Sequence, residues 1–298
     1  MITITPDHLE RLPKANATMT VNVGGIFETV ALISVPENAE TILTAKEGIR
    51  YHSVKDSGAR VAVEGMTDEQ LDLMADAFKT MDLICHDRTE PLRTDLLLAL
   101  TYGLEFDPMI TGPDRYAYEE LDWGYTEQPY RQLSCCTPLQ GRWDLKQQYL
   151  TELLKGIQGI ARPDAVLDAA LRSAIELMGG VDEDGYETMR NAFDLAAGEQ
   201  DYLYENLLVY MLHRHWYDDV AQGTVAPCVK RMMAAFAVLR SICAVAQQGG
   251  HPVTPSVFAD LASRYAAAVD EGADLQLRAL MAESPVFRRE NLQRMLWR

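Results

Sequence analysis

Basic residues are scarce in this sequence. There are 27 Lys and Arg against 44 Asp and Glu, a formal net charge of −17. A surface of that sign repels phosphate backbones and anionic headgroups, so neither nucleic-acid binding nor membrane-surface binding is expected. Cysteine is scarce too. Cys85, Cys135, Cys136, Cys228 and Cys243 are odd in number and follow no framework spacing. This excludes a disulfide-stapled scaffold and points to a reducing compartment, the cytoplasm. The N-terminus lacks a basic segment followed by an apolar run, so no signal peptide is expected. No apolar run reaches the roughly 18 residues a membrane span needs. Gly-x-Gly-x-x-Gly, Walker, Gly-x-Ser-x-Gly, His-Glu-x-x-His and Cys-x-x-Cys patterns are all missing, so no active site announces itself.

Hydrophobic residues make up 48% of the 298 positions and charged residues 24%, the mixture of a folded globular protein. Residues 18–23 alternate and are rich in β-branched side chains, Gly24-Gly25 punctuates, and a second strand is expected over 26–35. Further strands fit 49–54 and 59–63, with Asp56-Ser57-Gly58 as their turn. At Thr67 the period changes from two to 3.6. Thr67-Asp68-Glu69-Gln70 has the form of a capping box, and Leu71, Met74, Ala75, Phe78 and Met81 follow on one helical face. A helix is expected over 91–102. From Asp144 onward helices are expected over 144–160, 164–178, 186–197, 200–217, 226–248, 254–280 with a break near Gly272, and 287–297. The expected fold class is α+β. A small antiparallel β unit (1–66) precedes helices with a long acidic aromatic loop (67–143) and a larger all-helical bundle domain (144–298).

The negative charge is unevenly spread. Residues 67–145 hold 6 basic and 16 acidic groups, a net of −10, against −2 for 1–66 and −5 for 146–298. Residues 104–143 are broken by Pro and Gly and resist regular assignment, yet they are rich in aromatics. Long loops of this kind are usually functional or linkers, and the aromatic content argues against a flexible linker. Glu119, Glu120 and Asp122 interleave there with Tyr116, Tyr118, Trp123 and Tyr125. Aromatic faces beside carboxylates suit a basic or lysine-bearing protein partner through cation–π contact and ion pairing. These seven are the candidate binding residues. The plainer reading is a strap whose aromatics pack on the core.

Other clusters favour structural roles. Cys85-His86-Asp87 is too contiguous to wrap a metal ion and fits a helix end, and the vicinal pair Cys135-Cys136 leaves a tetrahedral site half empty. His213 and His215 are two apart on a helix and form no chelate; cations there suit a helix C-terminus. Asp182-Glu183-Asp184-Gly185 resembles the start of a calcium loop, but Phe193 occupies the position of the closing Glu, so an acidic helix N-terminus is the better reading. No metal ligand and no cofactor is assigned from these residues. The C-terminal stretch from Phe287, with its four arginines, fits docking on the parent chain.

Three segments resemble the C-terminal helical region of the bacterial flagellin lysine-N-methylases. They are residues 202–212 (Tyr-Leu-Tyr-Glu-Asn-Leu-Leu-Val-Tyr-Met-Leu), 232–240 (Met-Met-Ala-Ala-Phe-Ala-Val-Leu-Arg), and Val253-Thr254 leading into 258–265 (Phe-Ala-Asp-Leu-Ala-Ser-Arg-Tyr). The likeness runs from about residue 200 to 283. It implies a shared helical scaffold and engagement of a protein client. That family carries a cysteine-rich N-terminal region, ending in an adjacent pair and associated with an iron–sulfur cluster. Here the first 84 residues hold no cysteine. Cys135-Cys136 is a remnant at most, too small for four-cysteine ligation. No catalytic residue is carried over. The leading expectation is a cytoplasmic protein-binding module on a methylase-like scaffold, without its own metal chemistry. The alternatives are an S-adenosylmethionine-dependent protein lysine N-methyltransferase, whose carboxylate-and-tyrosine pocket desolvates a lysine, and an acidic accessory or phage protein that mimics nucleic acid.

Overall fold

The computed structural model describes residues 2–4, 18–23, 26–51, 53–55, 66–88, 91–134, 143–197 and 200–296. In chain order the elements are β1 (Ile2–Ile4), β2 (Thr18–Val23), β3 (Ile26–Ala31), α1 (Pro36–Leu43), β4 (Ile49–Tyr51), β5 (Ser53–Lys55), α2 (Asp68–Cys85) and α3 (Leu92–Phe106). A 3-10 turn (Asp107–Ile110) leads to α4 (Arg115–Thr126), α5 (Pro129–Ser134), α6 (Trp143–Ile160), α7 (Ala165–Gly180), α8 (Glu183–Ala197), α9 (Asp201–Val220) and α10 (Ala226–Gln248). The chain closes with α11 (Pro255–Tyr265), a π-helical turn (Ala266–Glu271), α12 (Asp274–Glu283), a 3-10 turn (Pro285–Phe287) and α13 (Arg289–Leu296). The fold is α+β and mostly helical, as its sequence pattern predicts. Among the described residues no helix is long and apolar enough to cross a membrane.

The chain forms two compact units that interleave in sequence. The first takes residues 1–32, 47–138 and 207–232; the second takes 33–46, 139–206 and 233–298. In the first unit, β2 and β3 pair antiparallel from Thr18↔Ala31 to Val23↔Ile26, and β5 adds to the other edge of β3. The expected strand over 49–54 is two strands with different partners, because β4 pairs in parallel with β1. The strand expected over 59–63, its turn at 56–58 and Gly24-Gly25 lie outside the described residues. Thr67 closes its capping box: its hydroxyl accepts from the Gln70 amide at 3.2 Å, and Gln70 Oε1 accepts from the Thr67 amide at 2.7 Å.

Two expectations are corrected. The strand expected to run to Val35 stops at Ala31, and α1 follows. Pro36 supplies the fixed φ of a first helical position and Glu37 an acid for the first turn. The segment 104–143, expected to lack regular structure, carries the end of α3, a 3-10 turn, α4 and α5. The Gly112-Pro113 break is a helix start: the Asp114 carboxylate caps α4 by accepting from the Tyr116 and Ala117 amides, both at 3.1 Å.

In the second unit α6 and α7 pack together, α11 packs on α1, and α13 docks on α6 with Leu292, Met295 and Leu296 buried. Asn206 ties the end of α1 by donating to the carbonyls of Leu43 and Ala45 at 3.0 and 2.9 Å. The break expected near Gly272 is a π turn ending at that glycine, where a Cβ would come within 2.8 Å of the Ala267 carbonyl oxygen. Helices α9 and α10 are buried around almost their whole circumference, which explains why the segments that resemble the methylases are so apolar.

Candidate functional site

α4 lies in the first unit, and its 3.6-residue period sorts the candidate residues onto two faces. Tyr118, Asp122 and Tyr125 stand at i, i+4 and i+7 and turn inward. Tyr116, Glu119, Glu120 and Trp123 occupy the opposite side and are exposed. The structure therefore divides the seven rather than gathering them.

The inner face is a closed polar cluster set in an aromatic core. Asp122 Oδ1 is the shared acceptor: the Thr80 hydroxyl donates to it, and the hydroxyls of Tyr118 and Tyr102 reach it at 3.4 and 3.5 Å. The Tyr125 hydroxyl donates to Glu105 Oε2 at 2.9 Å. The rings of Tyr102, Phe106, Tyr118, Tyr125 and Trp216 contact one another edge-on or stacked. Burial first, and then the Asp122 charge, push the Tyr118 phenol up to about 12. Burial likewise carries Tyr102 far above the phenol range. Both stay protonated, as their role as donors to Asp122 requires. For Tyr118 and Tyr125 the strap reading describes their environment.

The outer face is different. Tyr116 is 70% exposed and Trp123 52% exposed, unusual for side chains of this size. The Tyr116 hydroxyl donates to Glu120 Oε1 at 3.1 Å, which fixes the carboxylate beside the phenol ring. Glu119 is paired instead with Arg115 at 3.0 Å, and Arg115 also reaches Asp76 at 3.3 Å. Such a surface can hold a cation against an aromatic face while a carboxylate supplies charge.

A second constellation in the first unit has no sequence signal beyond its residue types. Asp82 Oδ1 faces His86 Nδ1 and His213 Nε2, both at 3.2 Å. His86 also reaches the carbonyls of Asp82 and Ile49, each at 2.8 Å, so both ring nitrogens face acceptors. Burial alone favours the neutral ring, but the Asp82 hydrogen bond and charge outweigh it and push the His86 imidazole up to about 9. Burial likewise opposes Asp82 ionisation, yet the hydrogen bonds and attraction of His213 and His86 hold its carboxyl well below the usual range. The rings of Tyr51 and Phe78 pack on His213 at 4.6 and 4.8 Å. His215 accepts from Arg231 at 2.7 Å. The two histidines thus serve buried polar contacts rather than the end of a helix.

Cys85, Cys228 and Cys243 are buried free thiols on α2 and α10, and Cys135 and Cys136 lie outside the described residues. Among the described residues no group of three or more His, Cys, Asp or Glu is placed to hold a metal ion. In the second unit a crevice of about 440 Å³ opens between α8 and α10. Met189, Ala192, Phe193 and Ala244 line it together with Asp184, Thr188, Gln247 and Gln248.

The fold and site define a mostly helical domain with a buried polar-aromatic core and one exposed aromatic–carboxylate helix face. Residues 106–287 match the family model of the FliB lysine N-methylase C-terminal domain. That is more than half of the chain, and the chain belongs to this family. No curated protein and no solved structure matches it. The match begins well before residue 200, and so takes in α4.

Proposed function

We propose that this chain is a client-recognition module on the methylase C-terminal scaffold. It binds a basic, lysine-bearing protein through the outer face of α4, in the cytoplasm, where its thiols stay reduced. The observation that carries this reading is the pair of exposed rings, Tyr116 and Trp123, with the Glu120 carboxylate between them. Ammonium groups gain from both elements at once, by cation–π contact and ion pairing, where a neutral partner gains from neither. Isothermal titration of the full chain with a lysine-rich polypeptide tests it. Wild type binds, and Trp123→Ala or Glu120→Gln weakens binding about tenfold, the loss of roughly one such contact. Unchanged affinity in both variants overturns the reading.

Family membership favours a second reading, S-adenosylmethionine-dependent methylation of a protein lysine. The buried tyrosine–carboxylate cluster does not support it as a lysine pocket, since Asp122 Oδ1 is already shared among three hydroxyls. Titration of the chain with S-adenosylmethionine separates the two. Absence of binding removes catalysis by this chain alone and leaves client recognition standing.

A further inference from the structure

The exposed face of α4 has a period that selects the shape of its partner, an inference that rests on the binding face assigned above. Tyr116, Glu120, Trp123 and Glu127 are spaced four, three and four residues apart, and all four are exposed. Glu127 is the first residue past α4. It keeps right-handed helical backbone angles, and its amide donates to the Trp123 carbonyl at 2.9 Å, so the register continues through it. A four-three-four spacing is that of the seam between two supercoiled helices. Along this seam an aromatic ring alternates with a carboxylate.

The carboxylates stay open to a partner. The Tyr116 phenol donates to Glu120 and orients it. Among the described residues neither Glu120 nor Glu127 forms an ion pair, whereas the neighbouring Glu119 is engaged by Arg115. The seam offers a ring, a carboxylate, a ring and a carboxylate, over about 16 Å at 1.5 Å per residue.

We propose that the occupant of this seam is an α-helix of a basic partner, with Lys or Arg opposite Glu120 and Glu127 and aliphatic residues opposite Tyr116 and Trp123. Spacing decides against an extended segment. Successive stations on the seam are about 4.5–6 Å apart, the same as on a partner helix. Same-face residues of a strand are about 6.6–6.8 Å apart. Over the three intervals the strand overruns the seam by about 3–4 Å, so a strand aligned at one end misses the last carboxylate. Three turns of helix form a small interface, of the size found in weak, transient encounters.

Three labelled peptides of equal length and charge test this by fluorescence anisotropy against the full chain. One is helical, with leucine and lysine alternating at four-three-four spacing. The second is helical with the same residues scattered around its circumference. The third is the seam peptide broken by two prolines. The seam peptide binds about tenfold more tightly than either control. The double variant Glu120→Gln/Glu127→Gln loses that preference while its circular dichroism is unchanged. Equal or tighter binding of the scattered or proline-broken peptide overturns the helical partner and leaves the basic-client reading intact. Binding of none of the three overturns both. A chain that sediments as a dimer, and as a monomer after Trp123→Ala, assigns the seam to a second copy and overturns the proposal.

Discussion

His86 has acceptors at both ring nitrogens, Asp82 on one side and the Ile49 carbonyl on the other. Only the imidazolium satisfies both. Its folded value of about 9 lies above the ordinary 6.5. The stability it contributes is therefore fully present below pH 6.5 and is lost as pH rises through 9. Urea midpoints measured from pH 6 to 10 should fall across that window in wild type and stay flatter in His86→Gln; parallel profiles would contradict the assignment. Asp107 is a second residue whose role comes from folding. Its Oδ1 accepts from the Thr224 hydroxyl at 2.7 Å and from the amides of Val225 and Ala226 at 2.6 and 2.8 Å. It caps α10 from more than a hundred positions away, where α10 has only Thr224 as its own capping side chain. Asp107→Ala is expected to cost about 1–2 kcal/mol in chemical denaturation, the usual value of an N-cap.

At the scale of elements, α3 and α10 approach closely at Gly103. A Cβ there would lie 2.3 Å from Val229 Cγ2. Replacing a helical glycine by alanine ordinarily gains up to about 1 kcal/mol, but Val229 is β-branched and stiff, and overpacking costs about 1–3 kcal/mol. Gly103→Ala should therefore destabilise the chain. Val229→Ala in the same chain should recover part of that loss, measured as a non-additive double-mutant cycle. The helices from α6 onward were legible because each carries both an apolar period and terminal punctuation, as Asp164 does in capping α7. α2 was legible down to its capping box. α4 was not, because its buried positions are tyrosines and an aspartate instead of aliphatics. Their i, i+4, i+7 spacing was the signal available, and Asp114 its cap. α1 was hidden behind a strand-like run of apolar residues that ends in Pro36. Of the candidate site, the residue types were readable, but which of them face solvent was set by the helical phase of α4. The Asp82–His86–His213 contact joins residues 131 positions apart, and no local pattern announces it.

At the scale of the whole molecule, the net charge of −17 repels anions and attracts cations. Association with a basic client should slow about tenfold or more between 20 and 500 mM salt, as screening shortens the reach of that field to a few ångströms. Stopped-flow mixing reads this directly. The interleaving of the two units along the chain explains why a domain boundary is hard to place from composition: residues 33–46 leave the β region for the second unit, and 207–232 return to the first. Client binding at the outer face of α4 is read out by hydrogen exchange of the full chain, with and without a saturating basic helical peptide. Exchange is expected to slow around residues 115–127 and to change little elsewhere. Protection centred instead on the crevice between residues 183–197 and 226–248, with 115–127 unaffected, would contradict it.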